Sequence, residues 1–95
     1  MPAYVIAIMK SQTNADEMAA YVKKAGPSLA GVPVKRLSIY GKHEVLEGEE
    51  VEGVVMLEFP TFAEAKAWYD SPAYTDARSH RLKGADFHFM IVDGG

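Results

Sequence analysis

The stretch Val54–Tyr74, VVMLEFPTFAEAKAWYDSPAY, constrains the chain more than any other, because it reads as strand, stop, helix, stop and second helix in quick succession. In the strand predicted over Gly53–Phe59, Val55, Leu57 and Phe59 alternate on one face and Val54, Met56 and Glu58 on the other. Pro60 ends it, since proline cannot donate to a ladder. Thr61 and Glu64 have the spacing of a capping box, in which each end of the pair satisfies a free backbone N–H of the first helical turn. Phe62, Ala65 and Tyr69 then form the predicted core stripe, with Trp68 on its shoulder. Ser71-Pro72 restarts the chain, serine as N-cap and proline at the first helical position. Tyr74, Ala77 and Arg81 share the inner face of this second helix, and Lys83-Gly84 closes it.

Upstream, Ala3–Met9 is apolar on both alternating sets and reads as a central strand covered on both faces. Asn14 and Glu17 repeat the capping-box spacing, and Met18, Val22, Ala25 and Leu29 follow at helical intervals until Gly26-Pro27 interrupts them. Val34–Tyr40 alternates, placing Lys35, Leu37 and Ile39 on one face and Val34, Arg36, Ser38 and Tyr40 on the other. Gly41-Lys42 offers a turn, and His43–Leu46 a short return strand. The acidic run that follows reads as a solvated loop, because its carboxylates lack the alternation and glycine position of a calcium-binding loop. The last strand is Asp86–Val92, with Phe87, Phe89 and Ile91 opposed to Asp86, His88, Met90 and Val92, and Asp93-Gly94-Gly95 reads as a tail.

A chain of 95 residues can bury only about 60–70% of its extended surface, which suffices for one core and one domain over residues 1–95. Its hydrophobic fraction of 48% fills two packed layers and argues against disorder. Without cysteine there is no disulfide framework, no thiolate nucleophile and no sulfur-ligated metal. The N-terminal apolar run is too short to span a bilayer and lacks the features of a secretory signal, so a cytoplasmic protein without membrane attachment is expected. A net charge of −3 and the lack of a basic stripe argue against nucleic acid as a partner.

The order of elements, strand, helix, two strands with a short one between, two helices and a strand, is that of a split βαβ unit. The expected fold class is α+β: a ferredoxin-like two-layer sandwich, an antiparallel sheet with helices on one face. Leu37 and Ile39, Val55, Leu57 and Phe59, and Phe87, Phe89 and Ile91 are assigned to the covered face. The opposite face still carries Tyr4, Ile6, Ile8, Val54, Met56, Met90 and Val92, too much apolar surface to leave in water. A second copy of the chain is the commonest cover, and a homodimer is expected.

Four ordered motifs, VLEG at Val45–Gly48, EFPTF at Glu58–Phe62, AWY at Ala67–Tyr69 and SPAY at Ser71–Tyr74, lie along the chain. Together they resemble the bacterial domain-of-unknown-function family numbered 1330, of the dimeric α+β barrel group, and the resemblance covers nearly the whole chain. It implies a ferredoxin-like fold, a homodimer whose two sheets face each other and a cavity between sheet and neighbouring elements; it implies no activity. The chain departs from the family pattern at Ile39-Tyr40-Gly41, where Arg-Gly-Gly is usual, and at His80, where leucine is usual. Arg81 matches.

Candidate ligand-binding residues follow from the strand phases. Arg36, Tyr40, Glu58 and His88 project from the less apolar sheet face, and Arg81 approaches from a helix. A mainly apolar cavity with a few convergent polar groups is the usual form of a small-molecule site. A cross-strand pair between Glu58 and Arg36 is the competing structural account. His88 is the best titrating group, with an ordinary pKa near ~6.5, whereas His43 and His80 are read as solvent-facing. No spacing matches a metal-binding helix motif, and neither metal nor cofactor is expected. Arg81, among core-facing positions, calls for an anionic partner: Asp86, Glu58 or a ligand carboxylate. Two functions remain open. One is a small-molecule binder or cofactor-independent enzyme, monooxygenase- or isomerase-like by analogy of fold; the other is a noncatalytic dimeric module. Whether Glu58, His88 and Arg81 share one cavity separates them.

Overall fold

The computed structural model of the protein describes residues 1–94. Its elements run β1 (Ala3–Gln12), α1 (Ala15–Ala25), a 3-10 turn (Pro27–Leu29), β2 (Lys35–Ile39), β3 (Gly53–Phe59), α2 (Phe62–Asp70), α3 (Pro72–Gly84) and β4 (Ala85–Asp93). Each helix begins where a side chain accepts from a free N–H of its first turn: Asn14 from Glu17, Thr61 from Glu64 and Ser71 from Tyr74. The four strands form one sheet in the order β2-β3-β1-β4, every neighbour antiparallel. Helices on one face of such a sheet make the expected ferredoxin-like sandwich.

Alternation in β1 buries Ala3, Val5 and Ala7 under the helices and turns Tyr4, Ile6 and Ile8 to the other face. Val5, Leu57 and Phe59 meet Met18 and Tyr21 of α1, Ala65 and Trp68 of α2, and Tyr74 and Ala77 of α3 in one core. Two helical stripes are rotated from their expected phase. In α1, Tyr21 is buried and Val22 exposed, and in α2 the indole of Trp68 takes the core position while Phe62 is half exposed. The Trp68 ring lies 4.2 Å from that of Tyr74 and 5.6 Å from that of Phe59, and its Nε1 donates to Ser28 Oγ at 3.1 Å. The turn at Gly26-Pro27 brings Ser28 to that position, so the rotation gives the indole N–H a buried acceptor.

The expected short strand at His43–Leu46 does not form; the segment belongs to an open loop in which His43 Nε2 pairs with Val51 O at 3.0 Å. Asp93 and Gly94 are no free tail. Asp93 pairs with Ala3 in the sheet and Gly94 N donates to Pro2 O at 2.8 Å, while Gly95 lies outside the described residues. His80 is not solvent-facing either: its Nδ1 is 3.1 Å from Glu17 Oε2, which joins α3 to the first turn of α1.

The largest departure is in β2. Arg36 stands opposite Leu57 and Ser38 opposite Met56, so Leu37 is the extra residue of a β-bulge. Residues directly opposite one another in an antiparallel pair share a face. Arg36 and Ile39 therefore both lie on the helix side with Leu57 and Val55, whereas Lys35 and Ser38 lie on the outer side with Glu58 and Met56. One residue later Tyr40 adopts a φ of 55°, a left-handed conformation rare outside glycine. Tyr40 swings back over Gly53, where a Cβ would meet its Cδ1 at 2.5 Å.

Candidate functional site

The helix layer covers β1, β3 and β4 but leaves β2, which draws nearly all its neighbours from β3. A cavity of about 170 Å³ opens between the C-terminal half of α1 and the β2 edge of the sheet. Val22 and Ala25 of α1 form its upper wall, Ile39 and Arg36 its outer edge, and Val55, Phe87 and Phe89 much of its floor. The wall is almost wholly apolar. Its ionisable side chains are Tyr21, Tyr40 and Arg36.

Behind this cavity the polar groups are ordered. The hydroxyls of Tyr21 and Tyr74 are hydrogen bonded at 2.9 Å. Burial pushes Tyr21 well above the ordinary value for a phenol and raises Tyr74 as well, and the Tyr74 hydroxyl adds to the rise at Tyr21. Tyr40 is raised as well, first by burial and then by Tyr74. All three are neutral phenols near pH 7. Arg81 acts in the opposite sense on each of them, favouring a negative oxygen.

Arg81 itself is 4% exposed. Its guanidinium carbon stands 5.2 Å from the centre of the Phe87 ring and 4.7 Å from that of Phe89, both of which line the cavity. Nε is buried with no hydrogen-bond partner, and among the described residues no carboxylate lies within 4.0 Å of the side chain. Neither Asp86 nor Glu58 is the expected partner.

The structure divides the sequence candidates into two groups. Arg36 and Tyr40 line the helix-side cavity with Arg81 just behind it, whereas Glu58 and His88 lie on the outer sheet face. The expectation that all four sheet residues share the outer face is thus corrected for Arg36 by the bulge at Leu37, and for Tyr40 by its left-handed backbone. Glu58 pairs with Lys35 at 3.8 Å and not with Arg36. Glu58 lies opposite Tyr4 and His88 opposite Ile8, on the two flanks of β1. Four residues of strand separate these positions by roughly 13 Å. Glu58, His88 and Arg81 share no pocket in the protomer, so an enzyme built on those three side chains loses its site. Sequence reasoning missed Tyr21 and Gly53; the stripe Met18-Tyr21-Ala25 has the same helical spacing as the one chosen.

The model of the domain of unknown function DUF1330 matches residues 2–95. The chain belongs to this family. Its fold recurs in solved structures of low sequence identity. A protein of unknown function from Rhodopseudomonas palustris is 20% identical with a TM-score of 0.75, over 99% of this chain and 82% of that one. A dimeric ferredoxin-like protein of unknown function from Jannaschia sp. CCS1 is 10% identical with a TM-score of 0.71, over 99% of this chain and 100% of that one. A dimeric protein of unknown function with a ferredoxin-like fold from Bacteroides fragilis is 13% identical with a TM-score of 0.63, over 98% and 96% of the two chains. No curated protein matches the DUF1330 chain. Among its described residues no helix is long and apolar enough to cross a membrane, and no cluster of three or more histidine, aspartate or glutamate side chains could hold a metal ion.

Proposed function

We propose that this DUF1330 protein is a homodimeric small-molecule binder, a single cytoplasmic domain whose ligand occupies the cavity between α1 and β2. The observation that carries the reading is an apolar cavity of about 170 Å³ floored by core side chains and bordered by Tyr21, Tyr40 and Arg36. An engineered cavity of about 150 Å³ holds benzene, so this one suits a ligand with a body of about one ring. Binding is favoured over proton-transfer catalysis. Both tyrosines in the wall hold their protons more firmly than an ordinary phenol, which makes them poor general bases, and His88 and Glu58 are on the other face.

The dimer is supported by the outer face of the sheet, where Tyr4, Ile6, Ile8, Val54, Met56 and Met90 are only partly covered in the protomer. Relatives of the same fold are described as dimeric. Glu58, Lys35 and His88 then serve the rim of the interface.

Both parts are open to experiment. Light scattering at micromolar concentration is expected to give twice the chain mass of 10.4 kDa, and Ile6→Glu, which puts a charge at the middle of the outer face, is expected to give the monomer. A wild-type protein of monomer mass defeats the dimer. For the cavity, toluene and benzamide titrated into labelled protein are expected to shift the resonances of Val55 and Phe87; shifts confined to other surfaces remove the site.

A further inference from the structure

Arg81 poses an electrostatic problem that the protomer leaves unsolved. Removing a guanidinium from water costs several kcal/mol even after relaxation. Its visible compensation is neutral: the Tyr74 hydroxyl, which it hydrogen bonds, and two aromatic faces, Phe87 and Phe89, each worth about 2 kcal/mol when desolvated. No described carboxylate reaches it, and Nε has no acceptor. The surrounding tyrosines cannot supply the counter-charge, since burial holds Tyr21, Tyr40 and Tyr74 in the neutral form.

The missing negative charge and the empty volume are adjacent. Phe87 and Phe89, which carry the guanidinium on their faces, line the cavity, and so do Tyr21 and Tyr40, whose hydroxyls lie within the field of Arg81. The Tyr40 hydroxyl, outside the Tyr21–Tyr74 hydrogen bond, is free to donate to an anion that enters. Arg36 adds a second, exposed cation at the rim. We propose that the ligand is a small organic monoanion, an apolar body of about one ring bearing a carboxylate, whose charged oxygens face the Tyr21–Tyr40 end of the cavity with Arg81 as the buried counter-ion. This assignment deepens the binding reading given above and rests on it.

Benzoate and its neutral isostere benzamide separate the two. In titrations of the wild-type protein followed by calorimetry and by the resonances of Val55, Phe87 and Ile39, benzoate is expected to bind at least tenfold more tightly than benzamide. Arg81→Met, which keeps an unbranched apolar stem and removes the charge, is expected to lower benzoate to the level of benzamide and leave benzamide unchanged; Arg81→Lys is expected to retain part of the preference. Equal affinity for the two ligands in the wild type, or unaltered benzoate binding in Arg81→Met, overturns the anion assignment and leaves the cavity reading standing. If neither compound shifts the cavity resonances, both fall. The wild-type comparison needs no variant, so a misfolded Arg81→Met does not shelter the proposal.

Discussion

Replacing Gly53 by alanine tests the geometry that turns Tyr40 into the cavity. The new Cβ would stand 2.5 Å from Tyr40 Cδ1 and 3.0 Å from Cε1. Non-bonded carbons settle at about 3.5–4.0 Å, so the ring must retreat by roughly 1 Å. Gly53 has no left-handed backbone of its own, which leaves the ring as the main obstacle. Overpacking of this kind costs about 1–3 kcal/mol. Tyr40→Gly removes the obstacle and also relieves a left-handed conformation worth about 1–2 kcal/mol for a side-chain-bearing residue, at the expense of a half-buried ring. In the Tyr40→Gly background, Gly53→Ala is expected to be neutral or to gain about 0.5–1 kcal/mol, because alanine is the better residue inside a strand. The four proteins of this double-mutant cycle, unfolded in urea at one protein concentration, are therefore expected to show a coupling of at least about 1 kcal/mol between positions 40 and 53. If Gly53→Ala costs as much in the Tyr40→Gly background as in the wild type, the ring does not rest on Gly53 and the account of the cavity's outer wall is wrong.

Two further outcomes follow from the buried polar groups. Tyr21 and Tyr74 have folded pKa values raised above the unfolded value near ~10, so their contribution to stability is fully present below that pH and is lost as the pH rises from there through the folded value; each adds up to about 1.4 kcal/mol per pH unit to the decline. Urea unfolding between pH 8 and 11 is expected to show that fall, with a shallower slope in Tyr74→Phe, and an identical slope in that variant would contradict the burial argument. Ser28→Ala strips the Trp68 indole N–H of its acceptor in a buried setting and is expected to cost about 1–3 kcal/mol; a loss below about 0.5 kcal/mol in chemical denaturation would mean that the pair contributes little.

The helix caps, the bounds of β3 and the outward facing of Tyr4, Ile6 and Ile8 were legible because each depends on local spacing, Asn14 with Glu17, Thr61 with Glu64, Ser71 before Pro72, whereas β1 runs on to Gln12, three residues beyond its expected end. Arg81 was legible as an inward arginine from its interval to Tyr74 and Ala77. Arg36 was not, since a bulge shifts the alternation by one residue without a compositional mark, and Leu37 looks like any strand residue. Tyr40 was hidden for a related reason: its backbone conformation is set by the Gly53 surface it meets, a contact across the intervening loop. The phases of Val22 and Phe62 failed because apolar residues at adjacent positions leave two stripes of equal merit, and only the buried acceptor for Trp68 and the Tyr21–Tyr74 pair decide between them.

β2 is bonded along one edge alone, is interrupted at Leu37 and forms the outer edge of the cavity whose floor belongs to its neighbours in the sheet. Local opening free energies follow the number of buried contacts a segment would lose, which puts β2 at the weak end of the sheet. Its amides are thus set to exchange with solvent ahead of those of β1, the central strand. A molecule entering the cavity would supply part of the packing β2 lacks, so occupancy and the order of this strand rise together.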